Sequence, residues 1–359
     1  MIVSAQAPGK MILLGEYAVL EGAPAMVCAV NRYARVQAQN TVSTIHNVEA
    51  VSLGVNGEPF VLNAYGKVRF NPQADPASIK RLGFFAKLFE SLYGRLASGA
   101  QGVKLSLDTA DFYSQQVHAK LGFGSSAALT VAMASALSKL FEGTLPDKKT
   151  VLKLALEAHY YAQGKVGSGI DIAASVYGGI LEYRKEPGQS IPEREPQTVP
   201  FWNDLFILVV WTGKSVSTRL MISAVNTLKT DNRVLFNSII RDLTVLSETG
   251  IEAYRSKNMS SFMKTIKEYH QTMDRLGKEA GADIVSVEHQ ALFQLCQADG
   301  AAYKPSGAGG GDIGIVFCTE TKQAERLERK IAEEGFLTVP ISVSTEGMKI
   351  TYKNKNQAV

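Results

Sequence analysis

The stretch KLGFGSSAA at residues 120–128, followed by the apolar, alanine-rich run of residues 129–141, decides the fold of the N-terminal half. Gly122 and Gly124 lack a Cβ, so their backbone can adopt unusual φ values and approach an anion closely. Ser125 and Ser126 lie where apolar residues begin to recur at helical spacing. Because a helix N-terminus offers free N–H donors and partial positive charge, the stretch predicts a phosphate-binding loop before a buried helix.

The stretch matches neither of two common phosphate-binding motifs, so the comparison with motifs leaves its role open. The stretch lacks G-x-x-x-x-G-K-[ST] and does not follow G-x-G-x-x-G. A Gly-Ser linker that leads into a core helix explains the same residues, so the local sequence leaves both alternatives open. The two hydroxyls could also reach a phosphate-bound magnesium ion.

Composition limits the class of protein. The 359 residues exceed one typical core and predict two domains, with 45% hydrophobic and 20% charged residues as in ordinary globular proteins. The net charge of +4 is too small and dispersed for a nucleic-acid or membrane-surface role. No apolar run has the length of a signal peptide or membrane helix. The three distant cysteines predict no disulfide or zinc site, and we expect a reducing, cytoplasmic location.

The chain begins with a predicted strand at residues 2–6, a break at Pro8 and Gly9, and a short apolar strand at residues 11–14. Lys10 and Glu16 lie at opposite ends of this second strand. A lone lysine at such a position is usually a solvated surface residue. The first motif, APGK at residues 7–10 with GEY at 15–17, therefore has no assigned chemistry by itself.

Strands and helices then mix without a strict βαβ rhythm, which predicts an α+β fold. The predicted elements are strands at 31–39 and 103–108, a hairpin within 51–62, and helices at 76–93 and 147–163. A glycine-rich turn at residues 164–169 follows, and Asp171 comes directly after it. This carboxylate could be a helix N-cap, an active-site group, or both.

Four prolines within residues 187–200 predict a boundary between an N-terminal domain, 1–190, and a C-terminal domain, 201–359. We expect strands at 205–211 and 313–318, a closing hairpin at 339–352, and helices at 217–229, 233–255, 259–279, 284–297 and 321–334. The stretch KPSGAGGGD at residues 304–312 has four glycines in five positions. Such density suggests that backbone approaches a ligand phosphate or another loop closely.

The first motif, the loop at 120–128 and the glycine-rich stretch at 304–312 together resemble the GHMP kinase superfamily, which phosphorylates small molecules. The resemblance covers essentially the whole chain and implies a two-domain GHMP kinase fold with the active site in the interdomain cleft. Details are most similar to bacterial phosphomevalonate kinases. Tyr17 stands where mevalonate kinases usually have His, and Asp312 where they usually have Gly. The segments AQGK at 162–165, GSGID at 167–171 and WTGKSVST at 211–218 agree with this.

The resemblance implies the following roles. Lys10 and Asp171 are the expected catalytic residues, and the expected ligands of ATP are Lys120, Gly122, Gly124, Ser125, Ser126 and Ala127. The expected substrate-binding residues are Glu16, Tyr17, Lys165, Ser168, Gly169, Ser217, Ser306, Gly307, Ala308, Gly309 and Asp312. Ser126 is the expected magnesium ligand. Mevalonate kinases have a magnesium-binding Glu eleven residues before the Asp, but Tyr160 stands there, which leaves Glu157 as a weaker second ligand.

The expected reaction is ATP- and Mg2+-dependent phosphorylation of 5-phosphomevalonate by a monomer or homodimer. Two anionic substrates need positive charge, which Lys10 and Lys165 are expected to supply, with Lys120, Lys214 and Lys304 as further candidates. Mevalonate kinase, another kinase of this superfamily, an ATP-dependent decarboxylase and a ligand sensor remain alternatives. Lys10 argues against the decarboxylase, which generally lacks this lysine. The five histidines have no metal-ligand spacing and receive no role.

Overall fold

The computed structural model describes residues 1–97, 101–164, 167–189, 191–192 and 194–354. Its strands are β1 (Ile2–Leu14), β2 (Ala25–Asn40), β3 (His46–Ala50), β4 (Val55–Leu62), β5 (Val68–Phe70), β6 (Val103–Asp108), β7 (Tyr113–Ser114), β8 (Ala119–Lys120), β9 (Ile180–Tyr183), β10 (Gln197–Val199), β11 (Phe206–Trp211), β12 (Ala302–Ser306), β13 (Ile313–Cys318), β14 (Leu337–Thr338) and β15 (Lys349–Lys353). Its α-helices are α1 (Pro76–Arg81), α2 (Gly83–Leu96), α3 (Ser125–Glu142), α4 (Lys148–Gln163), α5 (Ile170–Tyr177), α6 (Thr218–Asp231), α7 (Arg233–Arg255), α8 (Met259–Ala280), α9 (Val287–Ala298) and α10 (Thr321–Glu333).

A large, mainly antiparallel sheet carries the first half of the chain. Its order is β10-β9-β2-β6-β3-β4-β5, and β1 pairs with both β2 and β15. Helix α3 packs against β1 and β2, and nearly its whole surface is buried. The alanines of this helix explain how it fits there, because small side chains let a helix lie close to a sheet. The loop at 120–128 is therefore held against the centre of the sheet.

A second sheet, of order β12-β13-β11-β14, carries the glycine-rich stretch between β12 and β13. Helices α7 and α8 pack on each other, and α8 also packs on β12. The mixture of helices and antiparallel strands confirms the predicted α+β fold. No helix in the described ranges is long and apolar enough to cross a membrane, and the three cysteines are free and buried.

The predicted break in the first strand is wrong. β1 runs through Pro8 and Gly9 as one strand, with an irregularity in its pairing with β2 at that point. A register shift of this kind lets a strand continue past a residue that lacks an N–H. The carbonyl of Pro8 also accepts a hydrogen bond from Ser175 Oγ at 2.7 Å. Lys10 is consequently held on a long strand.

The predicted closing hairpin is also wrong. β14 pairs with β11 in the second sheet, whereas β15 pairs with β1 in the first. The end of the described chain thus returns to its beginning. The division into domains at 1–190 and 201–359 stays a prediction. The predicted helix at 76–93 forms as two helices, α1 and α2, which meet at Leu82.

Candidate active site

A cavity of about 1150 Å3 lies where the first sheet, the start of α3, the start of α6 and the glycine-rich stretch meet. It is large enough for a nucleotide and a second small molecule. Many of the expected site residues line it: Lys10, Glu16, Tyr17, Lys120, Gly122, Gly124, Ser125, Ser126, Ser168, Gly169, Asp171, Ser217, Gly307, Ala308 and Asp312. Segments that are far apart in sequence therefore converge on one space.

The loop at 120–128 has the backbone of an anion site. Gly122 and Gly124 both have φ of 75°, and Gly124 precedes the first residue of α3 without a side-chain cap. A Cβ at Gly124 would lie 3.0 Å from Lys10 Cγ. The N–H of Lys10 donates to the carbonyl of Phe123 at 2.8 Å. The glycines thus allow the loop and Lys10 to share one narrow space beside a free helix N-terminus.

Asp312 faces this loop from the second sheet. A Cβ at Gly122 would lie only 2.7 Å from Asp312 Cβ. Burial raises the pKa of the Asp312 carboxyl, and the positive charges of Lys10 and Lys120 oppose that rise. Burial in turn lowers the pKa of Lys120. One carboxylate and two lysines therefore surround the loop.

Asp171 lies in the first turn of α5, and Gly169 is the N-cap residue, so the N-cap interpretation of Asp171 is wrong. The cavity lining also includes His159 on α4, to which sequence reasoning assigned no role. His159 Nε2 lies 3.5 Å from Ser126 Oγ. Burial lowers the pKa of His159, while the charge of Asp171 opposes this. The imidazole thus lies beside Ser126 at the start of α3 and is influenced by the charge of Asp171.

Glu16 forms a buried ion pair with Lys304. The carboxylate also accepts from the N–H of Gly307 at 3.3 Å, and Tyr17 OH donates to the carbonyl of Ala308 at 2.5 Å. The first motif and the glycine-rich stretch therefore hold each other across the two sheets. Burial lowers the pKa of Lys304, and Glu16 opposes this shift.

Several expected residues are not brought to the cavity wall. Ala127 is buried in α3, and Gly309 packs on the carbonyl of Ile284. Ser306 Oγ bonds both the N–H and the carbonyl of Ile12, at 3.0 and 3.1 Å, so its hydroxyl ties β12 to β1. Ser306 does not line the cavity, so the structure gives no support to its predicted substrate contact.

The structure does not place Glu157 as a metal ligand. Its carboxylate pairs with Arg95, and it does not line the cavity. Lys214 pairs with Glu288 at 2.9 Å and also stays off the lining, as does Lys304. Lys165 lies outside the described residues. In the described parts of the chain, no group of three or more His, Cys, Asp or Glu could hold a metal by itself.

Besides Arg81, which pairs with Asp75, sequence reasoning missed two cavity cations, Lys185 and Arg219. Lys185 Nζ donates to the carbonyl of Gly167 at 3.4 Å, and Arg219 Nη2 to that of Gln163 at 3.0 Å. Both cations thus lie on the turn that leads to Asp171. Neither has a motif of its own: Arg219 reaches this turn from α6, and Lys185 reaches it from the residues that follow β9. Another part of the wall is apolar, with Leu53, Phe84, Phe85, Leu107, Phe112 and Tyr113.

Comparisons with known proteins agree with this arrangement. Family models for the N-terminal and C-terminal domains of GHMP kinases match residues 81–179 and 251–336. A phosphomevalonate kinase of Streptomyces sp. strain CL190 is 27% identical, over 95% of this chain and 97% of its own. A mevalonate kinase of Thermococcus sibiricus is also 27% identical, over 98% of each chain. The crystal structure of the Lin0012 protein from Listeria innocua superposes with a TM-score of 0.83 at 26% identity, over 98% of this chain and 100% of its own.

Proposed function

The chain belongs to the GHMP kinase family, and we propose that it transfers the terminal phosphoryl group of ATP to (R)-5-phosphomevalonate. The product is 5-diphosphomevalonate, an intermediate of the mevalonate route to isoprenoids. The apolar wall is suited to the nucleotide base, and the loop at 120–128 to its phosphates.

One observation carries the choice of acceptor. Four cavity cations form no ion pair with any carboxylate of the described residues: Lys10, Lys120, Lys185 and Arg219. The lining also holds two carboxylates for which the described residues provide no ion pair, Asp171 and Asp312, so four cations against two carboxylates leave an excess of two positive charges. A cavity with this excess of positive charge suits two phosphorylated substrates, which repel each other when they come together.

The lysines would act mainly by position and charge. Phosphoryl transfer needs alignment and charge neutralisation more than covalent chemistry from the protein. Lys10, fixed on β1 beside Gly124, would stabilise the charge that develops on the transferred group. A phosphomonoester has its second pKa near 6, so the attacking oxygen is already ionised at neutral pH. Asp171 then has no essential proton to remove, and its role is to orient Lys10 or the bound cation.

The residues fit a magnesium ion. The cavity offers the hydroxyl of Ser126 and the carboxylates of Asp171 and Asp312, and hard oxygen ligands are those that Mg2+ prefers. Bound Mg2+ would supply charge neutralisation for the phosphates of ATP. His159, whose Nε2 lies 3.5 Å from Ser126 Oγ, would then fix the direction of that hydroxyl.

A mevalonate kinase is the second candidate, and the equal identity to the Thermococcus sibiricus mevalonate kinase favours it. With an alcohol as acceptor, Asp171 would act as general base. A coupled ADP-release assay with ATP and Mg2+ tests both candidates when mevalonate, 5-phosphomevalonate and 5-diphosphomevalonate are offered in parallel. We expect turnover of 5-phosphomevalonate, with the mass of the diphosphate product. Turnover of mevalonate alone, or loss of carbon dioxide from the diphosphate, would contradict the proposal.

A further inference from the structure

The carboxylates that line the cavity are not equivalent. Among the described lining residues they are Glu16, Asp171 and Asp312. Glu16 is neutralised by its buried pair with Lys304. Glu157 is turned toward Arg95 and away from the cavity. Asp171 and Asp312 are therefore the described carboxylates left to face a cation bound with the nucleotide.

The backbone holds Asp312 firmly against the phosphate loop. Its N–H donates to the carbonyl of Lys214 at 2.7 Å, and its carbonyl accepts from the N–H of Thr212 at 2.9 Å. Its φ of 55° lies in the left-handed region, which is uncommon for a residue with a side chain but tolerated by Asp. This backbone places Asp312 Oδ1 3.4 Å from the position of a Cβ on Gly122.

Asp312 would lie beside any phosphates that the loop binds. The phosphates that the loop would bind carry several negative charges, and Asp312 would repel them across a few ångströms. In the protein alone, hydrogen bonds from Ser215 and from the backbone of Val216 stabilise the carboxylate, and Lys10 and Lys120 supply the compensating charge. Those two lysines are also the groups expected to contact the phosphates. A further cation between Asp312 and the phosphates removes the conflict, and Mg2+ in nucleotide sites typically uses one or two carboxylates plus phosphate oxygens.

We propose that Asp312 is a carboxylate ligand of the nucleotide-bound Mg2+, together with the hydroxyl of Ser126. This inference rests on the proposed function, because it needs a magnesium nucleotide in the cavity. It assigns to Asp312 the metal role that sequence reasoning gave to Glu157. It also gives the second sheet a direct part in nucleotide binding, because Asp312 immediately precedes β13.

The test measures binding of the non-hydrolysable analogue AMPPNP by calorimetry, with Mg2+ and with EDTA, so that no acceptor is needed. For Asp312→Asn we expect the Kd of Mg·AMPPNP to rise at least about ten-fold, as for loss of a group that supports a metal. The Kd of metal-free AMPPNP should stay equal or fall, because the substitution removes one negative charge. Asp312→Gly should behave in the same way, since glycine accepts the positive φ without strain.

The matched control is Asp283→Asn. Asp283 lies 4.0 Å from Lys214 on the same side of the molecule but is exposed and outside the cavity lining. Its Kd values should equal those of the unmodified protein. Equal weakening of both AMPPNP forms by Asp312→Asn and Asp312→Gly, or no change in either, would overturn the inference and leave the kinase proposal intact. Failure of the unmodified protein to bind AMPPNP in either form would overturn both.

Discussion

Lys10 and Lys304 come from the two motifs that meet across the sheets, yet their surroundings are opposite. Lys304 has a fully buried side chain and an ion pair with Glu16, whose side chain is 1% exposed. Lys10 lines the cavity and forms no ion pair with a described carboxylate. A lysine whose charge is already neutralised holds the two sheets together. A lysine whose charge faces an open cavity is available for a ligand.

Within one active-site region, this difference distinguishes a lysine with a structural role from a lysine that can bind a ligand. Motif membership does not distinguish the two lysines, because Lys10 belongs to the first motif and Lys304 to the glycine-rich stretch. Ion pairing does, because a buried charge without a partner is costly unless a ligand or solvent compensates it. Variants of each region should therefore affect different measurements.

The largest effect is expected at Lys10. Lys10→Met should lower kcat by about 1000-fold, the size seen when one preorganised electrostatic group is lost at a transition state. Its free energy of unfolding should change little, because Lys10 forms no ion pair with a described carboxylate and Lys120 also offsets the buried charge of Asp312. Steady-state kinetics and urea unfolding on the same preparation measure both quantities. A kcat near that of the unmodified protein would contradict a catalytic role for Lys10.

Lys304→Met is expected to act on stability instead. The substitution leaves Glu16 buried without its partner, which should cost about 3 kcal/mol of unfolding free energy. The double variant Glu16→Gln/Lys304→Met should recover much of this loss, because no unpaired charge remains. Urea denaturation of the unmodified protein, of Glu16→Gln, of Lys304→Met and of the double variant completes the cycle. If the two single losses simply add in the double variant, the pair is not the source of the stability.

A smaller effect should come from His289, a buried titratable group without an ion pair. Its Nε2 lies 3.1 Å from the carbonyl of Gly311 and its Nδ1 2.7 Å from Tyr303 OH, so a neutral ring donates to the first and accepts from the second. Burial lowers the pKa of His289 from 6.5 to about 3. The unfolded chain therefore binds this proton at higher pH than the folded chain.

The sign of the pH dependence follows from that difference. The contribution of His289 is fully present above pH 6.5 and is lost as pH falls toward about 3. His289 should therefore lower the free energy of unfolding by about 2 kcal/mol when the pH falls from about 7 to about 5. Chemical denaturation at both pH values measures it as the difference between the unmodified protein and His289→Gln. An equal pH dependence in both proteins would show that the histidine is not kept neutral.

Much of the fold and of the cavity could be predicted from the sequence. Helix α3 and the loop before it follow from apolar spacing and two glycines, which are local signals. Lys10, Ser126 and Asp171 line one cavity as expected, because the resemblance linked segments that no local pattern connects. The continuous strand through Pro8 was not predictable in this way, since the register shift depends on its partner strand.

The remaining site residues could not be found from local sequence. Lys185 and Arg219 lie in no motif and reach the turn before Asp171 from two separate segments, the residues after β9 and helix α6. His159 is a single histidine on a helix, and its contact with Ser126 needs the packing of α4 on α3. Ser306 was assigned to substrate, but the close approach of β12 to β1 uses its hydroxyl. Long-range packing decides each of these cases.

The most direct test of the central claim is the ratio of kcat/KM for 5-phosphomevalonate and for mevalonate, measured with ATP and Mg2+ in one preparation. We expect a ratio of at least about ten in favour of 5-phosphomevalonate, because a lost charge-assisted contact with a phosphate costs about 1.5–3 kcal/mol. A ratio below one would contradict it, and the unpaired cations of the cavity would then serve the nucleotide alone.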